Sequence, residues 1–415
     1  MELDRIKKEF AACGCGQRHV CGVRDIRIGS GLVKDTGAVL RENGFPRRLL
    51  LVADRDTLAA AAGLADALGG FDVEPLVYDT LRVARMEDVE AVEARLAGGC
   101  AAVLAVGTGS VHDTARLACA RRRKPLCLFA TAPSMDGFAS YSAPIVKDGF
   151  KTTYPAKCPE VIIGDTKILA AAPAALKSAG FGDMIAKYVA LIDWQVSHLV
   201  SGEAYCPRVA DLTRCAADGI FGRADGILSR DEASAGAIFE GLLLTGIAMS
   251  FTGTSRPGSG TEHIQAHYWE CMELLDGLTP RYHGTDVGVS TLMVLRFYGE
   301  LAARAKVCAR REQSDWSAVY RAYGPLAPEV QKLNTPDTIT DGVDPAELER
   351  LWPEIVRIVH GVPAYDVCLS AMRRAGCATT TEELGLSPAL KENGWKYHPY
   401  MRRRLSLRRL ADMLV

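Results

Sequence analysis

His263 and His267 stand four residues apart, and His283 follows a proline-containing turn, so SRPGSGTEHIQAHYWECMELLDGLTPRYHGTDVG (255–288) offers three imidazoles in one segment. On a helix, the four-residue spacing sends His263 and His267 to one side. Converging imidazoles can hold a catalytic divalent ion with a position left for water or substrate. The chain has 8 histidines in 415 residues, so three in one segment is a concentration. The competing reading is a helix with two hydrogen-bonded histidines and an unrelated third in a loop. Spacing alone leaves both open, because an i, i+4 histidine pair is a weak motif.

A carboxylate able to complete a ligand set stands upstream. GFGDMIAKYVALIDWQ (180–195) is expected to open a helix at Gly182-Asp183, where the helix dipole alone would favour an acid. As a hard oxygen ligand, Asp183 would make an Asp/His/His set with His263 and His283. Lys187, four residues on, faces the same side.

Two loops carry anion-binding chemistry. Gly107-Thr108-Gly109-Ser110-Val111 joins an apolar strand to a helix, where glycines let the backbone approach a pyrophosphate and free amides favour its charge. His112 replaces the third glycine of the dinucleotide fingerprint and the usual acid after the next strand is missing, so a tight turn explains the loop as well. TAPSMDGFAS (131–140) follows a strand and gathers Thr131, Ser134 and Ser140 around Asp136. Their hydroxyls can donate to phosphate or amide oxygens, and Asp136 can accept from a hydroxyl or cap a turn.

These residues need a frame, and the apolar runs supply one. RRLLLVAD (47–54), FDVEPLVYD, AAVLAVG (101–107), PLCLFATA (125–132) and CPEVIIGD (158–165) read as buried strands alternating with helices, which gives a parallel sheet with ligands at the strands' carboxyl ends. SAPIVKDGFKTTYPAK reads as a hairpin around Asp148-Gly149. From about 166 the spacing turns helical. The expectation is an α/β domain over 1–165 and a helical domain over 166–415. AIFEGLLLTGIAMSF (238–252) is expected to be a buried core helix.

GTGSVHDTAR, TAPSMDGFAS, GFGDMIAKYVALIDW, SRPGSGTEHIQAH and HGTDVG, in this order over roughly 45–290, resemble glycerol-1-phosphate dehydrogenase of the bacterial AraM-like type. That family belongs with the metal-dependent glycerol dehydrogenases and dehydroquinate synthases. The resemblance implies that the first domain is a Rossmann-like, nucleotide-binding one and the helical domain a metal-binding one, with the active site in the cleft between them. It implies that Asp183, His263 and His283 hold one divalent metal, zinc or nickel, and that Asp183 and His267 are catalytic. Asp136, Asp183 and His267 would contact substrate. Asp54, Gly107, Thr108, Gly109, Ser110, Val111, Thr131, Ala132, Pro133, Ser134 and Ser140 would bind NAD(P). The implied reaction is reversible reduction of dihydroxyacetone phosphate to sn-glycerol 1-phosphate, a step of phospholipid metabolism, in a homodimer. Many relatives carry three glycines and a lysine where this chain has Gly107-Thr108-Gly109-Ser110, and Ala-Ser or Gly-Ser where it has Gly260-Thr261. Neither change removes a ligand; both bear on NAD against NADP.

Net charge of −1 gives no long-range field toward nucleic acid or an anionic membrane. MELDRIKKEF lacks the apolar core of a secretory signal, and no run reaches the roughly 18 apolar residues of a membrane span, so a cytoplasmic protein is expected. The 13 cysteines are odd in number and scattered, which favours reduced thiols. Cys13, Cys15, His19 and Cys21 form a cluster whose spacing is not that of a paired CxxC site, and packing thiols explain it more simply. The basic runs RRRK (121–124) and RRRLSLRR (402–409) are expected on solvated helix faces. Lys151, Lys187 and Arg256 are the cations nearest the motifs that could meet a phosphate. Rival functions are a dehydrogenase of unphosphorylated polyols, a lyase and cyclase of the dehydroquinate-synthase kind, and a non-catalytic metal-binding protein.

Overall fold

The computed structural model describes residues 2–415. Its strands are β1 (Asp25–Gly29), β2 (Arg48–Asp54), β3 (Asp72–Tyr78), β4 (Ala102–Gly107), β5 (Leu126–Ala130), β6 (Ser142–Lys147), β7 (Phe150–Pro155) and β8 (Val161–Asp165). Six of them form a parallel sheet in the order β1-β8-β5-β4-β2-β3. The central strands β4 and β5 are buried at every residue, as an uninterrupted apolar run requires. β3 lies at the edge, which is why it tolerates Pro75.

β6 and β7 pair antiparallel outside the sheet, from Ser142↔Pro155 to Lys147↔Phe150. Asp148 and Gly149 turn between them with φ of +51° and +75°, the left-handed pair that an Asp-Gly hairpin needs. From Thr166 onward, the long elements are helices.

Among the described residues, two segments are long and apolar enough to cross a membrane. Glu232–Thr252 instead runs through the core as expected, and Pro345–Arg374 is divided into helices ending at His360 and restarting at Tyr365.

Two features depart from the sequence reading. Leu3, Phe10, Cys21 and Val23 belong to the core of the helical half, so the segment ahead of β1 packs there and not on the sheet. The second basic run is not a solvated face. Arg409 is fully buried against Glu312 at 3.1 Å, Arg408 reaches Asp412 at 2.7 Å, and Arg402 and Arg404 turn inward, leaving Arg403 exposed beside Asp337. Regular helical spacing does not describe this run, because a short helix begins only at Leu407. RRRK does lie at an exposed helix end, as expected.

Candidate active site and metal centre

Asp183 lies near the end of the helix Ala174–Ile185, which breaks at Ala186 before Lys187–Ser201. The sequence expectation of a helix start is therefore corrected, and with it the dipole explanation: a carboxylate in a last turn is disfavoured by the dipole. Asp183 is fully buried and owes its place to specific partners. Its Oδ2 accepts from the Asp136 amide at 2.9 Å, and Lys187 Nζ donates to its Oδ1 at 2.8 Å. Lys187 Nζ also lies 2.7 Å from Asp136 Oδ2 and donates to the Gly258 carbonyl at 2.9 Å. Burial alone would raise Asp183, yet Lys187 and His263 hold it well below the usual carboxylate range. Burial would likewise lower Lys187, but Asp136 and Asp183 push it up to about 12.

His263 and His267 stand one turn apart on the helix Thr261–Leu275, and His283 opens the helix His283–Ala302. Close helix crossing brings His283 toward Asp183. A Cβ on Gly182 would meet the Gly284 carbonyl at 2.4 Å, and one on Gly284 would meet the Ala179 carbonyl at 2.0 Å, so both positions need glycine for the two helices to touch. The ring of His283 lies 5.2 Å from that of His263 and 5.1 Å from that of His267, and His263 Nε2 lies 3.3 Å from Asp183 Oδ1.

Each proposed histidine ligand is oriented through its other nitrogen. His263 Nδ1 lies 2.6 Å from Glu262 Oε1, and His283 Nδ1 lies 2.7 Å from Glu270 Oε1. A carboxylate on Nδ1 leaves Nε2 for a metal. Glu270 Oε2 takes Lys151 at 2.6 Å, so both of its oxygens are engaged; Glu270 therefore orients His283 even though His267, Glu270 and His283 themselves fall within 4.8 Å. Around the histidines, the carboxylates Asp136, Asp183, Glu262 and Glu270 face the ammonium groups Lys151 and Lys187. These carboxylates outnumber the ammonium groups they face, which favours a cation among them. Donor set and charge both fit a divalent metal.

His267 borders the cleft, which is also lined by His263 and His283. Burial first, then the charges of Lys151 and Arg402 among others, hold His267 well below the ordinary histidine value, so its ring is neutral. Thr108, Gly109, Ser110, Ser134, Asp136 and Ser140 line the same cleft at the carboxyl ends of β4 and β5, where parallel sheets take ligands. The helix Gly109–Arg122 opens there, and its first amides lack acceptors within the helix.

The other residues expected at the cofactor lie one layer back. Val111 is core, and a Cβ on Gly107 would meet it at 2.8 Å. The Thr131 amide donates to the Gly107 carbonyl at 2.9 Å, and Ala132 accepts from the Ser134 amide at 3.1 Å. The Pro133 carbonyl sits 2.0 Å from where a Cβ on Gly180 would be, so this loop rests directly on the Asp183 helix. Asp54 ends β2 as a helix cap, accepting from the Thr57 amide at 2.9 Å and the Leu81 amide at 3.3 Å. His112 is a buried core histidine, lowered to about 3 by burial.

Glu262 and Glu270 escaped the sequence reading as orienting groups. The signal was present: one precedes His263, and the other is three residues past His267 on the same helix. Of the cations named for phosphate, Lys187 is committed to two carboxylates, and Arg256 to Glu203. Lys151 reaches the cleft wall.

A parallel sheet thus faces a helical half that brings Asp183, His263 and His283 together, and comparison with known proteins assigns this arrangement to the alcohol dehydrogenases. Residues 27–173 match the family described as iron-containing alcohol dehydrogenase. The fold is similar to that of a probable glycerol dehydrogenase from Sinorhizobium meliloti 1021, with a TM-score of 0.65 over 96% of each chain at 16% identity. In sequence the chain is 34% identical to glycerol-1-phosphate dehydrogenase [NAD(P)+] of Halalkalibacterium halodurans over 74% of this chain and 78% of that one. It is 31% identical to the protein of the same name from Geobacillus stearothermophilus over 94% of this chain and 92% of that one. The chain belongs to the glycerol-1-phosphate dehydrogenase family.

Proposed function

We propose that this chain reduces dihydroxyacetone phosphate to sn-glycerol 1-phosphate, reversibly, with NAD(P)H and a divalent metal. The observation that carries this reading is the meeting of Asp183, His263 and His283 beside the Gly109–Arg122 helix start, in a member of this family. We take the boundary between a nucleotide-binding and a metal-binding domain at 165/166, with the segment ahead of β1 packed on the latter.

Asp183, His263 and His283 would hold the metal. Zinc and nickel suit this set, and the iron-containing family description adds iron. When bound, the ion supplies Lewis-acid polarisation of the C2 carbonyl and the nicotinamide supplies the hydride. The amides of Gly109, Ser110 and Val111 would receive the pyrophosphate, with Thr108, Ser134 and Ser140 beside them and Asp54, Gly107, Thr131, Ala132 and Pro133 shaping the wall. Asp136 would accept from the substrate's free hydroxyl. His267, neutral and open to the cleft, would orient the substrate and pass a solvent proton to the C2 oxygen as hydride arrives at C2. Lys151, which lines this part of the cleft beside Glu270, is the cation placed to meet the phosphate.

The decisive experiment is elemental analysis of the purified protein together with reduction of dihydroxyacetone phosphate and of dihydroxyacetone, each with NADH and NADPH. Preference for the phosphorylated ketone is expected. Preference for dihydroxyacetone would make the chain a polyol dehydrogenase, and turnover without net nicotinamide oxidation would make it a lyase. His263→Ala should lose both the site's metal and turnover; a fully active, metal-free variant would overturn the site. Size-exclusion chromatography tests the proposed homodimer.

A further inference from the structure

The N-terminal cysteine and histidine cluster lies outside the cleft, and the fold adds to it a residue far away in sequence. Cys13, Cys15 and His19 lie between the helix Leu3–Ala11 and β1, and Cys206 immediately precedes the helix Pro207–Phe221. Cys13 Sγ is 3.7 Å from Cys206 Sγ. His19 Nε2 is 3.2 Å from Cys15 Sγ and 3.4 Å from Cys206 Sγ. The four donor atoms fall within 4.8 Å of one another. Cys21, grouped with them in the sequence reading, turns instead to the thiol of Cys158.

A tetrahedral zinc ion with bonds of about 2.3 Å to sulfur and about 2.0 Å to nitrogen sets its ligands about 3.5 to 3.8 Å apart. The Cys13–Cys206, Cys15–His19 and Cys206–His19 separations lie at or slightly inside that range, and the rest fall within 4.8 Å, before any ion draws the ligands into place. Hydrogen bonding alone accounts for the cluster poorly. His19 Nδ1 lies 2.9 Å from the Phe251 carbonyl and donates to it, which leaves Nε2 a single lone pair. Two thiols, Cys15 and Cys206, converge on that one lone pair. A cation accepts all four donors at once. His19 and Cys206 are buried, and the Phe10 ring stacks on Phe251 with centroids 4.6 Å apart, closing the cluster on its inner side.

We propose that Cys13, Cys15, His19 and Cys206 form a structural zinc site. Four protein ligands close the coordination sphere, in contrast to the three-ligand set in the cleft. Each thiol gives up its proton to solvent when zinc binds, so the site is thiolate-rich and favours a soft ion. The site clamps the segment ahead of β1 to the start of Pro207–Phe221. Through His19 it also holds the end of Glu232–Thr252, the helix from which the chain runs on to His263.

The test uses the full chain carrying His263→Ala, in which the cluster is untouched. Purified under reducing conditions with zinc, it should retain about one zinc per chain. Replacing that zinc with cobalt should produce sulfur-to-metal charge-transfer absorption in the near ultraviolet and intense visible bands of a tetrahedral ion. An organomercurial thiol reagent should release the metal. Cys15→Ser with Cys206→Ser in the same background should abolish both the zinc and the charge-transfer bands. A His263→Ala chain that holds no zinc, or holds cobalt without thiolate charge transfer, overturns the proposal. So does a chain isolated with a stable Cys13–Cys206 disulfide that takes up no zinc after reduction.

Discussion

At the scale of single residues, the candidate site depends on pairs more than on ligands. His263, His283 and Asp183 stand out in the sequence because imidazoles are scarce and a carboxylate accompanies them. Their partners do not, because an acidic residue on a helix is ordinarily a solvated one. Glu270, on the cleft wall, fixes His283 and Lys151 together. Burial opposes its charge, but Lys151 and His283 hold it at about 2. Glu270→Gln keeps the size and loses the charge, so metal affinity should fall by about 10- to 100-fold with His283 still present, as measured by competition with a chelator. Unchanged affinity would remove Glu270 from the site. His263 carries a second prediction. Burial lowers its tendency to protonate, but Asp183 and Glu262 raise it to about 9. In the metal-free chain it therefore holds a proton at neutral pH, which an entering ion must displace. Metal affinity should drop by about tenfold per pH unit below 9. Calorimetric titration in buffers of different ionisation enthalpy should show proton release at pH 7; none would mean His263 is already neutral.

Among the elements, the strands of the parallel sheet that were read were legible to within three residues because buried parallel strands are unbroken apolar runs. The Asp-Gly hairpin was legible because only that turn fits a two-residue loop. The helix that carries Asp183 was misread. Gly180 and Gly182 look like a helix boundary, but they are contact points with the 131–134 loop and with Gly284, information that exists only between elements. Gly284 sits inside a helix, where alanine is ordinarily better by about 1 kcal/mol. Here a methyl group would lie 2.0 Å from the Ala179 carbonyl and force the helices apart. Gly284→Ala should thus lower the thermal midpoint and weaken metal binding together, against the propensity scale. A stabilised, fully metallated variant would show that the helices do not need this contact.

For the whole molecule, the division into a sheet half and a helical half followed from the change of period near residue 166, while the packing of the segment ahead of β1 on the helical half did not. Side-chain pairs made between residues far apart in the chain leave no local pattern. The carboxyl-terminal run shows what such pairs do. Arg409 is fully buried, lies 3.1 Å from Glu312, donates to Thr338 at 2.7 Å and stacks over the Tyr400 ring at 3.9 Å, joining the last helix to the loop near 312 and the turn near 338. Removing one member of a buried pair commonly costs about 3 to 5 kcal/mol, because the other charge stays behind. Glu312 keeps hydroxyl partners in Ser314, Thr340 and Tyr400, which places the cost toward the lower end. Arg409→Ala should therefore lower the thermal midpoint clearly while leaving metal content unchanged at low temperature. Arg409→Ala with Glu312→Gln should recover part of the loss by removing the stranded charge. A double variant no more stable than Arg409→Ala would assign the effect to lost packing on Tyr400 instead.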